Sequence, residues 1–292
     1  IIFAALVLSL QISAQQKDDD TIKVDSSIVL VNTTVTDTSG KAVTGLNKDQ
    51  FTVLEDGVEQ PIVNFAPETT PFAAVILMDT SGSMESRVSM ARSAAIRFLS
   101  GLRADDYTAI YSFNSQVKLV QDFSNSRDIT ESIFDLKADG MTVLNDAIYK
   151  AAAILSQRPE KRRAIIVLSD GADTQSGKSA DAAYKAAIAV NATIYTIDMS
   201  SPDDHSVGRV QSQGALKMFA QKSGGTFVST PGGPAMREAF TRIVEELGNQ
   251  YTISYEPKNI KNDGKFHTIE VRIARPNLTI RTRKGYYAPK GK

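Results

Sequence analysis

Phe72-Ala-Ala-Val-Ile-Leu-Met-Asp79-Thr-Ser81-Gly-Ser83-Met84 is an apolar run that ends on a carboxylate followed by hydroxyls at alternate positions. The apolar part reads as a strand buried on both faces. In an extended segment every second side chain points the same way. The oxygens of Asp79, Ser81 and Ser83 can therefore converge on one point, while Gly82 lets the backbone turn tightly around it. Hard oxygen donors in this pattern suit a cation, and one carboxylate with neutral hydroxyls suits Mg2+, which keeps waters and leaves a position open to an outside ligand. An ordinary Asx-turn at Asp79 is the plain alternative.

Working outward, two later segments offer further oxygens: Gly140-Met-Thr142 before a helical pattern, and Leu168-Ser-Asp170-Gly171 at the close of another apolar strand. Taken alone, Thr142 reads equally as a helix cap. The whole set, Asp79-x-Ser81-x-Ser83 with a later Thr142 and a later Asp170-Gly171, resembles the metal-ion-dependent adhesion site of von Willebrand factor type A domains. The resemblance runs in order from Phe72 to Gly248. It implies a Rossmann-like domain whose metal, Mg2+ or else Mn2+ or Ca2+, is bound by Ser81, Ser83 and Thr142, with Asp79 and Asp170 direct or through water.

Strand and helix alternate over 72–248, which predicts a doubly wound, mainly parallel sheet covered on both faces. The strands expected are Phe72–Met78, Tyr107–Phe113, Val117–Val120, Ala164–Ser169, Thr193–Ile197 and Thr226–Val228. Met84, Val88, Ala91, Ala95, Phe98 and Leu102 form the core stripe of a first amphipathic helix. Val143–Leu155, Ser179–Val190, Leu216–Lys222 and Met236–Leu247 supply the others. In such sheets ligands bind beyond the carboxyl ends of strands, near the point where strand order reverses. Asp79 and Asp170 both sit at such ends.

The flanks are β-rich. Ile28–Thr36 has the Val, Ile and Thr content of a strand, and Phe51–Leu54 and Val58–Phe65 flank the hairpin signal Asp56-Gly57. At the other end Tyr251, Ile253 and Tyr255 alternate, as do Ile269, Val271 and Ile273, and Leu278 with Ile280 begins a further strand. Neither segment is large enough to stand alone, so 26–65 and 249–289 are expected to pair in one small β domain, with Ala66–Pro71 as the hinge. Lys41–Gly57, Asp263-Gly-Lys-Phe-His267 and Arg281-Thr-Arg-Lys-Gly-Tyr-Tyr-Ala-Pro289 are similar to the flanks of exported VWFA-related proteins typical of Acidobacteria, which implies an exported protein and names no ligand.

Ile1–Leu10 is apolar but too short to span a bilayer, and a polar stretch follows Ala14. It reads as the h-region of a signal peptide over 1–14 whose start is missing, with 15–25 as a charged linker. The mature protein is expected to be periplasmic or secreted, without stable membrane insertion. No cysteine is present, so disulfides, thiolate chemistry and lipoprotein attachment are excluded. Lys plus Arg and Asp plus Glu each number 33, which gives no electrostatic reason to bind nucleic acid. From Glu256 to Lys292 ten basic residues face three acids; solvated strand faces are the expected explanation.

Gly171–Ser179 ends in Gly177-Lys178-Ser179 before a helix, yet five residues separate its glycines where a phosphate-binding loop needs four. His205 and His267 are the only histidines, too few for a His-rich zinc site. His205 reads as a polar loop residue and His267 as a strand residue facing solvent. Asp173 reads as a loop acid near the rim, and Asp146 as a first-turn acid favoured by the helix dipole and able to support the metal site. Met141 and Tyr111 default to core packing. With no nucleophile and base placed together, the chain reads as a non-enzymatic binding protein whose metal would bridge to an acidic group of a partner protein. A structural or assembly scaffold with a permanent partner is the alternative.

Overall fold

The computed structural model describes residues 28–66, 70–201, 206–229, 233–259 and 262–291. The expected leader and linker, Pro67–Thr69 of the hinge, and His205 lie outside the described residues.

Strand β5 (Phe72–Asp79) is buried along its whole length. It pairs in parallel with β6 (Tyr107–Phe113) on one side and β8 (Arg162–Ser169) on the other. The six-stranded sheet is completed by β9 (Ala192–Asp198) and β10 (Phe227–Val228) beyond β8, and by β7 (Val117–Ser124) beyond β6, in the order β10-β9-β8-β5-β6-β7. β7 alone runs antiparallel, and it extends four residues past the expected Val120 through Gln121 and Asp122, whose polarity hides the strand in the sequence.

Alternate residues of β5 feed two cores. Ala73, Val75 and Leu77 pack with helices α2 (Leu144–Ser156), α3 (Ala180–Ala189) and α4 (Val207–Ser223). Phe72, Ala74, Ile76 and Met78 pack with α1 (Val88–Ser100) and α5 (Gly233–Gly248). The helix after β5 thus covers one face and the helix after β8 the other, so a crevice opens between the carboxyl ends of these two strands. α1 is shorter than its stripe: Met84 lies in a 3-10 turn, Gly82–Met84, and Leu102 beyond the helix end. α4 is longer than the expected Leu216–Lys222. Its first half carries Gly208 and Gly214 and buries nothing, so no apolar stripe announces it; the Ser206 hydroxyl caps it at Arg209 N.

The flanking segments form two four-stranded sheets. One has β1 (Val29–Thr36) between β13 (Thr279–Thr282) and β11 (Tyr251–Tyr255), with β4 (Ile62–Ala66) at its edge. The other orders β14 (Gly285–Tyr287), β12 (Phe266–Ile273), β2 (Phe51–Glu55) and β3 (Val58–Gln60). Every pairing between β1 or β2 and a C-terminal strand is antiparallel. Pro61, which has no N–H for a ladder, separates β3 from β4 where the chain passes from one sheet to the other. A shared core of Val31, Val35, Phe51, Val53, Tyr251, Ile253 and Val271 lies between the sheets.

Two of the C-terminal arginines are not on solvated faces. Arg283 is buried and donates to the carbonyls of Leu30 and Ile188, so it joins β1 to α3. Burial pushes its guanidinium down to about 10. Arg281 pairs with Glu246 of α5, whose carboxylate also accepts from the hydroxyls of Tyr195 and Thr34.

Candidate metal centre

Asp79 ends β5 with no exposed surface. Its Oδ1 accepts from Ser81 N at 2.9 Å and Ser81 Oγ at 2.6 Å, and its Oδ2 from Ser169 Oγ at 2.5 Å. Ser81 Oγ in turn lies 3.1 Å from Ser83 Oγ. The three oxygens quoted at the outset therefore do converge, with Ser81 buried and Ser83 exposed at the mouth. The Asx-turn and the oxygen cluster are one geometry, since the turn is what brings the hydroxyl back onto the carboxylate.

Burial pushes the Asp79 carboxyl up to about 6. Hydrogen bonds from Ser169 and Ser81 oppose this, and the nearby charge of Asp170 adds to it. The charge acting on this buried carboxylate is thus a second carboxylate.

The other expected ligands stand on loops fastened to this turn. Gly82 N donates to Gly140 O at 3.1 Å and Asp139 N to Thr80 O at 2.9 Å, which seats the Gly140–Thr142 loop against the Asp79 turn. Gly140 has φ +78°, and a Cβ there would lie 2.7 Å from Ser115 Oγ, so a side chain at this position would be strained. Thr142 is buried; its N–H donates to Thr174 Oγ1 and its carbonyl accepts from Thr174 N and Gln175 N. Its own hydroxyl has no hydrogen-bond partner among the described residues. Half-buried Asp170 follows β8, its Oδ1 accepting from Ala172 N.

This donor set fits a small divalent cation on chemical grounds: the side chains are all oxygen donors, and among the described residues the Thr142 hydroxyl is uncommitted and the buried carboxylate has no counter-charge.

Several neighbours escape a reading of the sequence. Ser169 bridges Asp79 and Gly171 N, and Thr174 and Ser176 hold the loop after Asp170 to the start of α2, where Ser176 Oγ accepts from Asp146 N. The only hint was the density of hydroxyls after Ser169. Asp146 accepts from Gly177 N and Lys178 N, so it braces that loop. Asp173 is likewise structural, accepting from Asn145 N and Ser176 N. Tyr111 packs in the core, whereas Met141 is 49% exposed, because the loop that offers Thr142 inward turns Met141 outward. His267 does not face solvent: it is 3% exposed, on the inward face of β12 with Ile269 and Val271.

The central domain is a Rossmann-like fold with an oxygen-lined crevice after β5 and β8. Residues 74–172 match the family model described as von Willebrand factor type A domain, and the central domain has a fold of that type. Inter-alpha-trypsin inhibitor heavy chain H3 of Bos taurus is 27% identical over 131 residues, a match covering 39% of this chain and 15% of that protein. This chain therefore spans only a small part of that curated relative. Among solved structures, the von Willebrand factor type A protein of Catenulispora acidiphila superposes with a TM-score of 0.51 at 15% identity, covering 92% of this chain and 76% of its own. The pilus adhesin SpaC of Lactobacillus rhamnosus GG, in an open conformation, gives 0.51 at 10% identity, covering 91% and 48%. These likenesses establish the fold.

Proposed function

We propose that the protein is an exported, non-enzymatic binding module that captures an acidic group of a partner protein through a divalent cation held at Asp79, Ser81, Ser83, Thr142 and Asp170. The observation that carries this reading is the buried Asp79 carboxylate, bonded by Ser81 and Ser169, with Ser81 Oγ against Ser83 Oγ. A bound cation supplies a coordination position open to an anionic oxygen. Asp79 and Ser169 fix the floor, Ser83 stands exposed at the mouth, and the Gly140–Thr142 loop forms a wall bearing the exposed Met141. Mg2+ is the favoured ion, with Mn2+ and Ca2+ as alternatives, because few charges and several hydroxyls match a hard cation that keeps waters. That SpaC is a pilus adhesin supports a binding role.

Export rests on the apolar Ile1–Leu10 stretch and on the flanks; no helix among the described residues is long and apolar enough to cross a membrane. An enzymatic reading would need His205 at the site, and a nucleophile freed from the hydroxyl contacts to Asp79.

The test is isothermal calorimetry with Mg2+ and Mn2+ on the wild type and Asp79→Ala, followed by capture of partners from the organism's own cell envelope with and without chelator. One-site binding lost in the folded variant, and capture lost with chelator, support the reading. Undiminished metal binding in Asp79→Ala overturns the site. Capture indifferent to chelator moves the protein to the scaffold class.

A further inference from the structure

His267 lies far from the metal centre in sequence and in the fold, in the sheet β14-β12-β2-β3. Both of its ring nitrogens face carboxylates: Nδ1 is 2.7 Å from Asp56 Oδ2 and Nε2 is 3.2 Å from Asp263 Oδ1. A neutral imidazole carries one N–H and one lone pair, so one of these contacts would set a lone pair against a carboxylate. Only the doubly protonated ring donates to both.

We propose that His267 is a pH-responsive clasp: as an imidazolium it ties the β2–β3 turn to the segment leading into β12, and on losing its proton it releases one of them.

The two carboxylates stand on separate pieces of chain. Asp56 forms the hairpin turn at φ +49°, and its Oδ1 accepts from Thr268 N and Oγ1. Asp263 bridges Lys290 near the C-terminal end, where Gly264 N also donates to Pro289 O. The ring, carried on β12, thus fastens the hairpin from the N-terminal segment to the stretch leading into β12, in a sheet that neither segment forms alone.

Of the remaining groups around the ring, Glu55 favours the charged form, the tyrosines are neutral and Arg283 opposes it. From β2, Glu55 Oε1 lies 4.0 Å from Nδ1, while its Oε2 takes the hydroxyls of Tyr255 in β11 and Tyr286 in β14. The Tyr286 ring packs beside the imidazole at 5.7 Å between centroids, with the Arg283 guanidinium 5.9 Å from that ring. Arg283 is the one cation among these groups and opposes protonation, and Tyr286 stands between it and the histidine. Burial also opposes the charge, yet the bonds to Asp56 and Asp263 hold the imidazolium above the ordinary histidine range.

One carboxylate oxygen each of Glu55 and Asp56 and one ring nitrogen of His267 lie within 4.8 Å of one another, a spacing that could hold a metal ion. The distances favour a proton instead: Nδ1 to Asp56 is a hydrogen-bond length, and Glu55 stands off at 4.0 Å with its other oxygen committed to two tyrosines.

A raised folded-state pKa means that the clasp holds fully below the unfolded histidine value and is lost as pH rises through the folded one. The experiment is an NMR titration of the imidazoles in the full chain, with His205→Gln to assign the signals, alongside urea unfolding at pH 6 and pH 8.5. His267 should titrate above 6.5, and Asp263→Asn should lower that value. The wild-type urea midpoint should fall between pH 6 and pH 8.5, and the fall should shrink in His267→Gln. Titration of His267 at or below 6.5 overturns the proposal, as does an unchanged pH response in a folded His267→Gln. Zn2+ binding that displaces the proton and disappears in His267→Gln also overturns it, in favour of a metal site. Should His267→Gln fail to fold, the wild-type and Asp263→Asn titrations still decide.

Discussion

Ser169 Oγ donates to Asp79 Oδ2 across 2.5 Å, joining the carboxyl ends of β8 and β5. The same oxygen accepts from Gly171 N at 2.9 Å. One hydroxyl therefore orients the buried carboxylate and the first turn of the loop that carries Asp170. A charge-assisted bond inside a water-poor crevice is stronger than a surface one, and its loss leaves both partners short of a bond.

Ser169→Ala should cost about 1–3 kcal/mol of stability. It should also weaken Mg2+ binding, since Asp79 loses a bond that favours its ionised form. Urea unfolding and calorimetry measure the two effects. Unchanged affinity in the folded variant would show that Ser169 serves the loop alone.

Thr142→Ala should separate binding from stability in the opposite way. The hydroxyl makes no bond among the described residues, so its removal should change unfolding free energy by less than about 1 kcal/mol. Metal affinity should fall about tenfold or more if that oxygen is a ligand. A variant that loses stability and keeps its affinity would assign Thr142 to capping.

Gly171→Ala tests the backbone that presents Asp170. Gly171 has φ +82°, and an added Cβ would lie 2.6 Å from Ser212 O of α4. Strain and overlap together should cost at least about 2 kcal/mol. Hydrogen exchange should show the loss concentrated at the loop after β8 and the middle of α4; uniform loss would mean that the close approach is not local.

The sheet was legible because β5, β8 and β9 are apolar on both faces and end on Asp, Ser and Asp. The first half of α4 was not, since Gly208, Gly214 and its polar residues give no stripe to read. His267 is a different case: it sits two residues before Ile269, so the alternation of β12 already placed it inward, and only the habit of reading histidine as polar put it outside. At the metal centre, residues within one turn could be read from spacing. Ser169 and Thr174 could not, and neither could the loop that Asp146 braces, because their partners are separated from them by about 30 to 90 residues and chosen by the sheet order.

Asp79 gives the pH dependence its sign. Its carboxyl is raised from 3.8 to about 6, so between these values the folded chain holds the proton more tightly than the unfolded one. Without metal, stability should therefore fall as pH rises from about 4 to about 6, by at most roughly 3 kcal/mol from this group. Asp37, Glu160, Asp263 and Glu270, whose carboxyls are lowered, slope the other way, so the Asp79 contribution is isolated by subtracting the curve of Asp79→Asn. A divalent cation needs the ionised form, and its affinity should rise about tenfold per pH unit up to about pH 6 and then level off. With saturating Mg2+ the slope between pH 4 and pH 6 should thus flatten or reverse in the wild type and stay unchanged in Asp79→Asn. Urea unfolding across that range, with Mg2+ and with chelator, measures both curves. If the two wild-type curves ran parallel, the buried carboxylate would be a structural acid and the cation would have to be placed elsewhere.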